Sequence, residues 1–273
     1  MKRLILPLLL LFLSACGQKP NDAWLGYGEG DNAFISAPQP GWITNMQVER
    51  GRIVHPGDVL FTLDSTTQAA GRDQAQAALV QARASLAQEI SNHNFMQIEL
   101  QRQDRLARDN AGTPELRDLA VNNEKQSAAR IAQLRAQIGQ MEASLNSAAY
   151  GLSQRKIVAQ TQGAVQDIYF RPGEYVPAST PVLSVLPPAN VYVRFFVPET
   201  QLAKVHLGQK VRVSCDGCKP MEATITFIAA QEEFTPPVIF SVNNREKLVF
   251  KLEARAPGGL PIHPGQPIDV RPL

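Results

Sequence analysis

The sequence predicts an elongated, multi-domain α+β chain. A small β-sandwich is split by a long antiparallel coiled-coil hairpin and followed by a small β-barrel. Three observations carry this prediction. The central span 66–155 contains a single proline, Pro114, although the chain of 273 residues has 20. The stretches 35–63 and 157–185, which flank that span, resemble each other at a constant offset of 122. The last third alternates apolar and polar residues in short runs, the signature of strands.

Composition narrows the function classes. Apolar residues make up 44% of the chain, enough for packed cores and too many for wholesale disorder. The net charge is +2, and Lys2 and Arg3 alone account for two positives. The near-neutral remainder lacks the basic stripe that a nucleic-acid partner requires. Three cysteines do not build a disulfide scaffold, and four scattered histidines do not build a metal cluster, so no cofactor is expected.

Residues 1–15 read as a signal peptide: Lys2 and Arg3, then an apolar run from Leu4 to Leu13. That run is too short to span a bilayer, which takes about 20 helical residues. Leu13-Ser14-Ala15-Cys16 looks like a bacterial lipobox, which implies cleavage before Cys16 and lipid attachment to its sulfur. The alternative is an ordinary secretory peptide with an incidental cysteine. Acylation at Cys16 would hold the chain on a membrane surface, and residues 16–31 are expected to be an anchor and linker. Gly17 stands where an inner-membrane retention signal would carry Asp.

The first flanking stretch, within 32–65, and the second, within 156–187, match residue for residue. Gly41 pairs with Gly163, Ile43 with Val165, Met46 with Ile168 and Val48 with Phe170. Gly51 then pairs with Gly173, Val54 with Val176, Leu60 with Val182 and Leu63 with Val185. Neither stretch is long enough to bury a core alone, so the two are expected to pack as one sandwich with the hairpin inserted between them.

Within 66–155 there are 18 Ala and 13 Gln, both good helix formers, and 10 basic residues balance 9 acidic ones. Ile131, Leu134, Ile138, Met141, Leu145, Ala148 and Leu152 recur at alternating spacings of 3 and 4, a heptad seam that calls for a partner helix. Leu79, Ala82, Leu86, His93, Met96 and Leu100 follow the same spacing, with Glu89 as an interruption. His93 is expected to be a polar residue tolerated on that seam, since no second His or Cys lies at metal spacing. At Asn110-Ala111-Gly112-Thr113-Pro114, Gly112 is expected to end one helix, Thr113 to cap the next and Pro114 to occupy its first turn.

The segments Ile35-Ser36-Ala37-Pro38-Gln39-Pro40-Gly41 and Val158-Ala159-Gln160-Thr161-Gln162-Gly163 resemble lipoyl/biotinyl half-motifs. No Lys occurs between Lys19 and Lys125, which argues against a swinging-arm carrier. A lipoyl-like domain split by a helical hairpin resembles the HlyD, or membrane fusion protein, family of periplasmic adaptors. The resemblance covers residues 30–273. It implies a non-enzymatic chain that self-associates, as a hexamer, and joins an inner-membrane transporter to a TolC-like outer-membrane channel. Adaptors that meet such channels carry Arg, Leu and Ser at set spacings around the hairpin turn, then Asp and Ala. Arg102, Leu106, Thr113, Asp118 and Ala120 stand at those spacings, with Thr in place of Ser. Each also has a plain structural role open to it: Thr113 as a helix cap, Leu106 in seam packing, Arg102 on a solvated surface.

In 188–273 the alternation of Val191, Val193, Phe195 and Val197 with Tyr192, Arg194 and Phe196 reads as a half-buried strand. A helical turn is expected within 198–205. Further strands are expected at Val211 to Cys215, Thr224 to Ile228, Lys247 to Glu253 and Ile268 to Val270, together a small barrel. Little sequence remains for a complete further membrane-proximal domain, and residues 20–31 and the extreme carboxyl end are candidates to pair in one. Cys215-Asp216-Gly217-Cys218 has the redox Cys-x-x-Cys spacing, but Asp-Gly between two strands is a hairpin-turn signal. A structural disulfide between Cys215 and Cys218 is the reading; two free thiols or a redox pair are the alternatives. The run from Phe234-Thr235-Pro236-Pro237 through Asn244-Arg245 to Phe250 resembles adaptors of ABC-type exporters. An ABC partner is therefore preferred to a proton-driven RND-type pump. The expected location is the periplasmic face of a Gram-negative inner membrane, held by lipid.

Overall fold

A computed structural model describes residues 23–234 and 248–273. The signal peptide, Cys16 and most of the ABC-like run (235–247) lie outside the described residues. Along the chain run β1 (Trp24–Gly30), β2 (Ala33–Ser36), β3 (Gly41–Met46), β4 (Ile53–Val54), β5 (Val59–Leu63), α1 (Thr66–Arg108) and α2 (Pro114–Ser153). There follow β6 (Lys156–Val158), β7 (Gly163–Ile168), β8 (Tyr175–Val176), β9 (Pro181–Leu186), β10 (Val191–Pro198) and α3 (Glu199–Leu202). The last strands are β11 (Lys210–Ser214), β12 (Met221–Phe234), β13 (Leu248–Arg255) and β14 (Pro267–Pro272). These elements form two compact units, one of Asn32–Val185 and one of the remaining described residues.

In the first unit the repeat becomes a pseudo-twofold sandwich. Strands β3, β4 and β5 recur as β7, β8 and β9 at the offset of 122 read from the sequence. One sheet has the order β2-β9-β7-β4 and the other β6-β5-β3-β8, so each half lends its short strand to the other's sheet. The connecting hydrogen bonds repeat as well. Gly51 N–H donates to Val165 C=O and Gly173 N–H to Ile43 C=O, both at 2.8 Å. Gly57 N–H donates to Ala159 C=O and Ser179 N–H to Ala37 C=O, both at 2.9 Å. Gly51 and Gly173 have φ of 83° and 90°, a left-handed turn conformation that a side chain would strain. The core draws on both halves: Ile43, Val54, Leu60 and Phe61 from the first meet Val165, Val176, Val182 and Leu183 from the second.

From the end of β5 the chain leaves through α1 and returns through α2. At 1.5 Å per residue, helices of 43 and 40 residues extend about 65 and 60 Å. The root is tied to the sandwich: Asp64 N–H donates to Trp42 C=O, and Leu63 N–H to Arg155 C=O, both at 2.8 Å. Ser65 at the start of α1 makes no side-chain cap. Asp64 takes that role, accepting from the Thr66 N–H at 3.1 Å and the Thr66 hydroxyl at 2.7 Å, and these bonds hold its carboxyl below the ordinary pKa.

The seam runs where the heptads place it: Leu79 and Ala82 are buried near the root of α1, and Ile131 and Leu134 are buried farther out on α2. It also continues toward the turn through residues with no hydrophobic signal. Ser127 and Ala120 are buried, and His93 Nδ1 lies 2.7 Å from Ser127 Oγ while its Nε2 lies 3.7 Å from Glu124. His93 is thus a polar seam residue with partners on the opposite helix.

The second unit is a closed six-stranded barrel, β1-β10-β13-β12-β11-β14. Two expectations are corrected here. Residues 16–31 are not all anchor and linker, because Trp24–Gly30 is the strand β1, hydrogen-bonded between β10 and β14. This stretch does pair with the carboxyl end, but within the barrel and not in a further domain. The glycines that disguise the strand are required by close contact: a Cβ on Gly26 would fall 2.3 Å from Arg194 C=O, and one on Gly28 2.5 Å from His263 C=O. The second correction concerns β10, which is buried on both faces rather than one. Val193, Phe195 and Val197 fill the barrel. On the outer face Tyr192 lies beneath the Arg255 guanidinium, 4.0 Å from the ring centroid, and Phe196 packs beside Tyr27. Arg194 joins three strands by donating to Glu29 of β1 at 3.1 Å and Glu253 of β13 at 3.0 Å. Burial opposes its charge, but those carboxylates outweigh it and raise its pKa above the ordinary value.

The candidate docking tip of the hairpin

The turn is built from five residues, 109–113. The sequence assigns the helix stop to Gly112, but the left-handed residue is Asn110, with φ of 57°. Ala111 and Gly112 then turn their N–H groups back onto Leu106 C=O at 2.9 and 3.1 Å, closing the end of α1. Thr113 begins α2 with extended backbone, and its hydroxyl accepts from Leu116 N–H at 3.4 Å. Pro114 occupies the first helical position, where its missing N–H has no cost.

The structure places Arg102, Leu106, Thr113 and Asp118 on the last turns of α1, the loop and the first turns of α2, all of them exposed. Arg102 is oriented by Glu99, one turn earlier, with Nη1 to Oε2 at 2.8 Å, and its side chain remains 58% exposed. Asp118 lies 3.9 Å from Arg117. Ala120, by contrast, is buried in the seam and belongs to the packing of the hairpin. Leu106 is not a seam residue, since its side chain stands on the surface.

Two features of the tip escape the sequence reading. Arg117 Nε donates to Asp104 Oδ1 at 2.8 Å, a cross-helix ion pair that fixes the two helix ends against each other. Leu116 and Leu119, in the opening turns of α2, are exposed as Leu106 is and add apolar surface to the tip. The signal for these leucines was their position outside the heptad register. The resulting surface combines exposed leucines with guanidinium and carboxylate groups on a braced turn, the mixture by which rigid anchors dock into a groove.

The other site residues fall elsewhere. Cys215 and Cys218 are joined as a disulfide, with Cα atoms 5.2 Å apart. They occupy the ends of a turn in the β11–β12 connection, where Cys218 N–H donates to Cys215 C=O at 3.0 Å and Gly217 has φ of 79°. This is the turn read from Asp216-Gly217, although the ladder stops at Val213 opposite Met221, short of the cysteines.

No protein-family model matches the chain. The "UPF0194 membrane protein in asrC 5'region" of Acidithiobacillus ferridurans is 33% identical over 128 residues, which are 46% of this chain and 38% of that relative. The match therefore spans well under half of the relative's length. Among solved structures, MacA from Actinobacillus actinomycetemcomitans superposes with a TM-score of 0.69 at 21% identity, over 91% of this chain and 76% of that one. The solved structure of the periplasmic adaptor protein EmrA gives a TM-score of 0.53 at 14% identity, over 93% of this chain and 100% of that one. The fold is shared with these two solved structures, one of them named a periplasmic adaptor, and it agrees with the resemblance read from the sequence.

Proposed function

We propose that this chain is a periplasmic adaptor that links an inner-membrane exporter to a TolC-like outer-membrane channel for efflux or secretion of small molecules. One observation carries the reading above the others: Arg102, Leu106, Thr113 and Asp118, spaced as in channel-docking adaptors, all stand exposed around the turn of a two-helix arm. An arm about 60 Å long is suited to reach across an aqueous gap from its root to a distant partner. Leucines at its end supply burial, and Arg102 supplies a planar donor for carboxylates or carbonyls between channel helices.

In this reading the chain is not an enzyme. Copies associate side by side as a hexamer around a central path, lipid on Cys16 holds each copy to the inner membrane, and the energy comes from the transporter. An ABC-type exporter is the partner because of the run from Phe234 to Phe250. Affinity purification from membranes tests this choice: recovery of an ABC transporter supports it, and recovery of an RND-type pump replaces it.

Docking is tested with Arg102→Asp. The exposed side chain contributes nothing to either core, so folding should be unchanged, while crosslinking of the tip to the channel and resistance or export should be lost. Unchanged crosslinking and unchanged drug susceptibility would remove Arg102 from the docking role.

A further inference from the structure

We infer that the end of the barrel where β1 begins docks on an anionic phospholipid surface, with the loop between α3 and β11 entering the headgroup layer. The inference deepens the anchoring in the proposed function and rests on lipid at Cys16. Several elements converge at that end. Trp24 of β1 lies opposite Val270 near the close of β14, and Val211 of β11 lies opposite Pro272. Strand β10 also finishes there and continues into α3. Trp24 Nε1 donates to Gln201 Oε1 of α3 at 2.6 Å, so the point where the chain enters the barrel is joined to that helix. Seven residues separate Cys16 from Trp24. An extended chain covers at most about 3.6 Å per step, so a lipid on Cys16 keeps this end within about 30 Å of the bilayer surface.

The loop 203–209 is braced in a way that holds one leucine outward. Leu202 and Val205 pack against the barrel core, whereas Leu207 is 61% exposed. His206 N–H donates to Gln209 Oε1 at 3.2 Å, and Gly208 N–H donates to Ile225 C=O at 2.9 Å. Gly208 has φ of 82°, a left-handed turn that lets the chain reverse just after Leu207. The charge around that leucine has one sign. Residues 201–214 contain Lys204, His206, Lys210 and Arg212, and no Asp or Glu. Arg271 of β14 stands opposite Arg212. Leu273, whose N–H donates to Lys210 C=O at 3.3 Å, adds a second exposed leucine. Glu199 and Glu222 are the exposed acids bordering this surface, and Lys210 lies 3.6 Å from Glu222.

Exposed leucine set among cations is the mixture by which a segment lies in a bilayer interface. The leucine reaches the acyl boundary, and the cations face phosphate oxygens. The tether selects a bilayer as the occupant, because this end of the barrel cannot leave the membrane by more than the length of residues 17–23. A lipid alone would let the barrel tumble within that radius. The loop decides which end of the barrel meets the surface.

The test uses the full-length lipidated chain with Leu207→Cys carrying an environment-sensitive fluorophore. Cys215 and Cys218 are joined to each other, so the label goes to the introduced thiol. In vesicles of phosphatidylethanolamine with phosphatidylglycerol, its emission should shift to the blue, and quenching by aqueous iodide should fall about threefold or more relative to phosphatidylethanolamine alone. The same label at Leu119→Cys, on the hairpin tip, should stay fully quenched. Lys204→Glu or added salt should restore quenching at Leu207 without changing thermal unfolding. Equal quenching at Leu207 in both vesicles, with lipid on Cys16 confirmed by mass, would overturn the inference and leave the anchor standing. Protection that arises only when the copurified transporter is added would overturn it as well, by seating a protein on this surface. Protection in a chain whose mass shows no lipid would remove Cys16 as the anchor and support the docking.

Discussion

The sandwich and the hairpin inserted into it bury their side chains in different ways. In the sandwich, Leu60, Phe61, Val54, Val176, Val182 and Leu183 are fully enclosed by residues of the opposite half. In the hairpin, 43 residues of α1 have only Leu79 and Ala82 buried, and 40 residues of α2 have Ala120, Ser127, Ile131 and Leu134. The sandwich completes itself. The hairpin satisfies one stripe of each helix and leaves the flanks and the tip uncovered, where the proposed function puts its partners. The difference predicts that substitutions in the sandwich act on folding, whereas those on the hairpin surface act on association.

The largest effect is expected at Phe61. Replacement by Ala empties a fully buried site and should cost about 3–5 kcal/mol in chemical denaturation. A loss below about 1 kcal/mol would mean that the sandwich core repacks freely, and the comparison would fail at its strong end. Ile131→Ala removes one seam contact and should cost about 2 kcal/mol. It should lower helicity by circular dichroism before the tryptophan signal of Trp42, on the sandwich, changes. Simultaneous loss of both signals would show that hairpin and sandwich unfold as one cooperative body.

The same contrast explains what could be read from the residues alone. The repeat was legible because Gly51 and Gly173, Leu60 and Val182, and their neighbours recur at one offset. That β4 and β8 cross into each other's sheets was not legible, since spacing says which residues correspond and not which strands pair. On α2 the seam was visible from Ile131 onward, where Ile and Leu mark it. It was invisible through the small and polar residues Ala120, Glu124 and Ser127, the last two of which meet His93. Strand β1 was hidden by Gly26, Gly28 and Gly30, which resemble a linker, although at Gly26 and Gly28 neighbouring backbone approaches too closely for a side chain. At the tip, the motif named Arg102, Leu106, Thr113 and Asp118. The brace between Asp104 and Arg117 joins helices that only the fold brings together.

A smaller effect sharpens the view of the sandwich as two copies of one design. Ser179 stands at the position of Gly57, 122 residues on, and shares its left-handed backbone with φ of 61° against 92°. A serine is strained there and glycine is not, so Ser179→Gly should stabilise by about 0.5–1 kcal/mol after the added freedom of the unfolded chain is deducted. Gly57→Ser should destabilise by a similar amount. If both changes are neutral in thermal unfolding, the two turns relax independently and the symmetry is one of sequence only.

The smallest effect on stability, and the most diagnostic, is expected at Leu106. Its backbone carbonyl receives the two N–H groups that close α1, but its side chain lies on the surface. Leu106→Ser keeps the carbonyl and removes the apolar surface, so the unfolding free energy should move by less than about 0.5 kcal/mol. Crosslinking of the tip to a channel should nevertheless fall, because exposed leucine gains its value only when a partner covers it. A substantial loss of stability would place Leu106 in the packing of the turn, and the division between a self-sufficient sandwich and an outward-facing hairpin would then have to be redrawn at its tip.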